Sequence, residues 1–217
     1  MRPDIGFQII GFIIAITVHE AAHAFTAYRC GDTTAKEEGR LSLNPMDHVD
    51  PFGTVILPLI LLMSQSPVMF GWAKPVPINP RNLHDPKTDE YWISLAGPLS
   101  NFLLAALFAG LVRLLFSYGD SFIASGWLNF ETASSAINFL ISMIQINIVL
   151  CIFNMIPIPP LDGYHVIRCM LPDSLYENFE IPQAAGFLFF IILISSGATD
   201  KIINMFFGPI FYFLIGR

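Results

Sequence analysis

The chain has 217 residues and a net charge of −6, with 54% hydrophobic residues against 13% charged. At a mean hydropathy of +0.60 a soluble domain of this size would be short of the polar residues needed to cover its surface, so the composition points to an integral membrane protein. The eleven Lys and Arg are scattered through the loops without a basic run, which argues against nucleic acid as a partner. Cys30, Cys151 and Cys169 are odd in number and lack CxxC spacing, so reduced thiols are expected rather than a disulfide frame or a thiolate metal site.

A membrane span needs about 20 mostly apolar residues to cross roughly 30 Å of hydrocarbon. In chain order the qualifying or nearly qualifying stretches are Gly6–Tyr28, Tyr91–Phe116 and Ala136–Ile156, followed by the shorter Ala184–Ser196 and Ile202–Ile215. A further stretch, Phe52–Phe70, is interrupted by Pro58 and by Ser64–Pro67. The first stretch has the small-x-small pattern of a signal-peptide cleavage site at Ala22–Ala24. Its only preceding positive residue is Arg2, offset by Asp4, so it is read as a retained span. No internal repeat or low-complexity linker divides the chain, and a single domain over residues 1–217 is expected.

The first span carries "HEAAH" near its end. On a helix His19 and His23 stand one turn apart on one face, the spacing that lets two imidazoles bind one metal, and Glu20 sits beside that face. Zinc is the usual metal of this pattern, and its glutamate serves as a general base on water. Ionisable residues inside membrane segments are costly and mark functional sites. A catalytic zinc usually has three protein ligands, so one more is needed. "NMIPIPPLDG", Asn154–Gly163, closes a long apolar helix. Pro157, Pro159 and Pro160 prevent that helix from continuing, so Asp162 is expected on an extended segment free to turn toward the histidines.

The ordered set "HEAAH", "GWAKPVPINP", "AGPLSN" and "NMIPIPPLDG" resembles the site-2 protease family of intramembrane zinc metalloproteases, in its short form without PDZ or CBS domains. The resemblance covers about residues 6–168, with C-terminal membrane helices at about 184–216 outside it. It implies one zinc per chain held by His19, His23 and Asp162, water activated by Glu20, and Asn154 facing the substrate or its oxyanion. The implied substrates are membrane-spanning or membrane-anchored proteins cleaved within the lipid bilayer. A catalytically silent helix-binding member and a metal transporter are the alternatives. The first should lack the glutamate or a ligand, and the second should space its ionisable residues across the membrane. Where family members often read "DGG" or "DGS", this chain has "DGYH". His165 is read as structural, with a contact to Asp162 as the other possibility.

Gly97 and Asn101 lie one turn apart, suited to close helix approach and an interhelical hydrogen bond. Asn147 and Asn154 lie seven apart, and their shared face is expected to look into the site. His48 and His84 are expected to be solvated loop residues. Because His19, His23 and Asp162 must share one depth, an odd number of full crossings must separate the two helices that carry them. Phe52–Phe70 is therefore expected to be re-entrant, returning as "GWAKPVPINP". The segment "KPVPIN" alternates β-branched residues with prolines and suits an edge strand to which a substrate segment could add. This arrangement puts Arg29, Lys36, Arg40, Lys74, Arg81, Lys87 and Arg168 on one side and leaves the Ser117–Ser135 connection on the other without Lys or Arg. The positive-inside rule then turns the zinc site toward the cytoplasm, and a prokaryotic cytoplasmic membrane is the expected location. The fold expected is an all-α polytopic bundle with a re-entrant segment and a short membrane-associated extended strand.

Overall fold

The computed structural model describes residues 5–56, 60, 63, 71–127 and 129–216. Helix α1 is Ile5–Arg29 and is followed by a single turn, α2, Thr34–Glu37. After a π-helical turn at Pro51–Ile56 and a non-repetitive segment at 71–79 come α3, Pro86–Ala124, and α4, Phe130–Asn154. Two short helices, α5, Asp162–Met170, and α6, Asp173–Tyr176, precede α7, Gln183–Ser195, and α8, Ala198–Ile215. Among the described residues α1, α3, α4 and α8 are long and apolar enough to cross a membrane, while α7 is shorter.

The helix starts follow local chemistry. Asp85 caps α3, accepting from the Thr88 hydroxyl at 2.8 Å, with Pro86 in the first turn, where a missing N–H costs nothing. Asn129 caps α4 by accepting from the Thr132 N–H at 2.7 Å. These caps lengthen both helices beyond the apolar stretches read from sequence. At its far end α3 continues through Ser117–Ala124, so the connection to α4 is only residues 125–129 rather than Ser117–Ser135. The turn there uses Gly126 at φ 77°.

The bundle centre is built from Ala105, Ala109 and Val112 of α3 against Leu140, Ile144, Ile148 and Ile152 of α4, closed by Leu214 of α8. The α3 residues recur at helical spacing, and the two alanines let the backbones approach where lipid offers no hydrophobic drive for association. Leu103, Leu107 and Leu111 on the other face of α3 are exposed, as suits side chains that meet acyl chains. Arg113 donates to the carbonyls of Phe213 and Ile215 at 3.1 and 3.2 Å, satisfying the end of α8.

Two expectations need restating. The described residues contain no β-strand: residues 71–79 form a non-repetitive segment, in which Pro75 and Pro77 supply no N–H for a ladder. The re-entrant reading of Phe52–Phe70 lies largely outside the described residues.

Candidate metal centre

His19 and His23 of α1 meet Asp162 at the first turn of α5. His19 Nε2 lies 3.2 Å from Asp162 Oδ2 and His23 Nε2 lies 3.4 Å from Oδ1. The two Nε2 atoms are 3.1 Å apart. The expectation that Asp162 extends from an irregular segment is corrected in part. Residues Met155–Leu161 are non-helical as the prolines require, but Asp162 itself opens a nine-residue helix. Gly163 permits this turn, because a Cβ there would strike the backbone carbonyl of Met155.

Hydrogen bonds on the far side of each imidazole fix what Nε2 can do. His23 Nδ1 is 2.6 Å from the Ile93 carbonyl, which can only accept, so Nδ1 carries the proton. Asn101 donates from Nδ2 to the Ala15 carbonyl and to Asn147 Oδ1, at 3.1 and 3.0 Å. Its Oδ1 is thereby turned to His19 Nδ1, 2.7 Å away, and that nitrogen donates as well. Asn147 completes the chain by donating to the Met143 carbonyl at 2.8 Å. Both Nε2 atoms are thus lone-pair acceptors, converging with a carboxylate whose Oδ2 is buried without a hydrogen-bond partner. Its 3.2 Å approach to His19 is a close contact but lacks hydrogen-bond geometry. Three acceptors this close repel one another unless a cation or proton sits among them, and the set fits a metal ion. Gly97 leaves the room: a Cβ there would collide with the imidazoles of His23 and His19.

A cavity of about 420 Å³ opens beside these three residues, with Glu20, Asn154 and His165 on its wall. Asn154 uses one N–H on the Leu150 carbonyl at 3.1 Å, which leaves a second donor. The structure therefore brings together every residue expected at the site. It divides the asparagine pair, since Asn154 lines the cavity while Asn147 is fully buried and reaches His19 only through Asn101.

Another wall is the segment 71–79, through Trp72, Ala73, Pro75, Val76 and Ile78. It is held from behind. Trp72 N–H bonds the Gly53 carbonyl at 3.2 Å and Lys74 N–H the His48 carbonyl at 2.9 Å, while Arg40 donates to the carbonyls of Lys74 and Pro75, both at 3.3 Å. Asp32 is fully buried and accepts from Asn79 N–H at 2.7 Å, Asn82 Nδ2 at 2.9 Å and the Thr34 hydroxyl at 2.6 Å. Burial would raise its pKa, but these donors outweigh burial and hold it below the ordinary aspartate value. His48 corrects the expectation of a solvated residue. It is 1% exposed and its Nε2 bonds the Ser42 carbonyl at 2.8 Å, whereas His84 is exposed as expected.

With the geometry in place, comparison with known proteins decides the family. The model of Peptidase family M50 matches residues 7–195. The chain belongs to this family, that of the site-2 proteases. YwhC of Bacillus subtilis is 40% identical over 187 residues, covering 86% of this chain and 79% of its own length. Rip2 of Mycolicibacterium smegmatis is 29% identical over 205 residues, or 94% of this chain and 71% of Rip2. Rip2 of Mycobacterium tuberculosis is 27% identical over 204 residues, with the same coverage of 94% and 71%. All three are provisionally named zinc metalloproteases. No solved structure matches the chain. As an M50 member it is a membrane metallopeptidase with apolar spanning helices.

Proposed function

We propose that the chain is an intramembrane zinc endopeptidase that cleaves transmembrane segments of membrane-anchored proteins. The observation that carries this reading is the convergence of His19, His23 and Asp162 beside Glu20 on one cavity wall. Family membership and the relatives' names as zinc metalloproteases support the metal and the reaction class. The three side chains would hold one zinc, which when bound supplies Lewis-acid activation of water and polarises the scissile carbonyl.

The remaining work falls to the chain's own groups. A peptide bond inside a helix is shielded, so the substrate must unwind locally before entering the cavity. Glu20 takes a proton from the attacking water as the C–O bond forms and delivers it to the nitrogen as the C–N bond breaks. The free N–H of Asn154 hydrogen-bonds the carbonyl oxygen as charge develops there. The 71–79 segment receives the unwound chain alongside its backbone, where Pro75 and Pro77 limit pairing to a few bonds.

The test is Glu20→Gln, which keeps the side chain's shape and removes the proton acceptor. Cleavage of a reporter transmembrane substrate in detergent should fall by orders of magnitude while zinc stays bound. Normal cleavage by this variant would overturn the protease mechanism.

The zinc end faces the cytoplasm of a prokaryotic cell in this reading, because a re-entrant Phe52–Phe70 puts Arg29, Lys36, Arg40, Lys74, Arg81, Lys87 and Arg168 on that side. Single cysteines at Lys36, Lys74 and Ser121, in a background without the native three, report this in whole cells. Only the Ser121 position should react with an impermeant thiol reagent. Labelling at Lys74 would show that Phe52–Phe70 spans fully.

A further inference from the structure

His165 stands one helical turn after Asp162 on α5 and lines the same cavity. Its Nδ1 lies 2.8 Å from Glu90 Oε1 of α3. A carboxylate only accepts, so Nδ1 carries the proton, and the ring's orientation is set by Glu90. Glu90 is itself secured. The Tyr176 hydroxyl donates to Oε2 at 2.7 Å, and Arg168 Nη1 lies 3.4 Å from Oε1. Burial, followed by the neighbouring carboxylate, pushes the Tyr176 phenol well above its usual range, so this hydroxyl remains a donor.

This arrangement leaves one valence unused. The Nε2 edge of His165 has no protein partner among the described residues, and the side chain is 41% exposed although it lies in a cavity wall. A histidine that only tied α5 to α3 would need nothing beyond its Nδ1 edge. Here Glu90, itself bonded by Tyr176 and Arg168, holds a ring whose other edge is open. An unwound substrate, in turn, brings backbone N–H groups that have lost their helical carbonyls, and in a membrane such donors must find acceptors.

We propose that His165 contacts the substrate, its Nε2 accepting a backbone N–H of the unwound segment beside the scissile bond, with Glu90 as the positioning residue that aims it. This assignment rests on the protease reading above. It separates His165 from the metal ligands: it holds the substrate's backbone and does not hold the ion.

The experiment measures kcat, KM and zinc content for His165→Asn, His165→Gln and Glu90→Gln with a reporter transmembrane substrate, beside the unmodified protein and Glu20→Gln. Asparagine places its amide where Nδ1 stands and keeps the tie to Glu90. Glutamine places an oxygen near Nε2 and keeps an acceptor in the cavity. His165→Asn should lose about tenfold in kcat/KM, the scale of one hydrogen bond, with full zinc. His165→Gln should recover most of that loss, and Glu90→Gln should fall between them with zinc unchanged. Loss in both His165 variants with full zinc and no recovery by glutamine would overturn the contact, since an acceptor restored near Nε2 would then contribute nothing. Activity of His165→Asn equal to that of the unmodified protein would overturn the assignment. So would a loss of activity that tracks a loss of zinc, since His165 would then act through Asp162. If the unmodified protein fails to cleave, or Glu20→Gln cleaves, the protease reading itself falls. If those two controls behave as expected and His165→Asn is normal, only the assignment of His165 falls.

Discussion

His19 and His23 sit inside the helix bundle, each oriented by a partner on α3, Asn101 for one and the Ile93 carbonyl for the other. Asp162 comes from a nine-residue helix outside the spanning segments. That helix is fastened at the rim, where Glu90 meets His165 and Arg168, and Lys87 reaches the Leu171 carbonyl and Asp173, both at 2.6 Å. Asn101 and Asn147 are 0% exposed, whereas Asp173 at the end of the rim chain is 89% exposed. Buried hydrogen bonds are strong and costly to break, while exposed ion pairs are weak and screened by salt. One half of the centre is thus pre-set by the bundle, and the other is brought to it by a largely buried cluster around Glu90, 22% exposed beside Arg168 at 16%, that ends outward in the exposed and weaker pair of Lys87 with Asp173.

The largest effect should come from filling the space that the bundle reserves for the imidazoles. Gly97→Ala places a methyl group against both histidines and should abolish zinc binding and cleavage together, with the helices still folded by circular dichroism. An active, zinc-loaded Gly97→Ala protein would show that the histidine half is free to move. Next in size is the buried chain itself. Asn101→Leu removes the acceptor that sets the His19 ring and should weaken zinc by about 10- to 100-fold, measured by competition with a chelator. The smallest effect is expected at the rim. Lys87→Ala should change zinc affinity by less than about threefold, consistent with the low value of exposed ion pairs. An Asn101 effect no larger than the Lys87 effect would erase the distinction between the two halves.

The sequence carried the ligands more clearly than their supports. The spacing of His19 and His23, Glu20 between them, and Asp162 behind a proline break each have a chemical reason to stand where they do, and the fold brings all four together. Asn101 was legible only as a polar residue in an apolar helix, because interhelical hydrogen bonding and support of a ligand look the same along one chain. Glu90 lies just after Lys87 and Asp89 at the start of α3, and nothing in that local sequence marks it out. Its partners lie 75 and 86 residues away, beyond any local pattern. His48 looked solvated for the same reason: its burial arises from the packing of loops around residues 40–50 and 71–79, which no periodicity reports. The helix limits were underestimated because apolar runs mark the lipid-facing part of a helix, whereas Asp85 and Asn129 set where the backbone begins to turn. The Asp-Pro and Asn-x-x-Thr patterns at those positions were the available signals.

The central claim is that two imidazoles and one carboxylate hold the ion while a second carboxylate stays free to move a proton. Zinc-edge X-ray absorption of the purified protein, with zinc per chain measured beside it, tests this most directly when the unmodified protein, Glu20→Gln and Asp162→Asn are compared. The unmodified protein and Glu20→Gln should each carry one zinc with the same two-imidazole, oxygen-containing shell, and Asp162→Asn should lose zinc or show an altered shell. Full zinc with an unchanged shell in Asp162→Asn, or a changed shell in Glu20→Gln, would contradict the assignment of the two carboxylates.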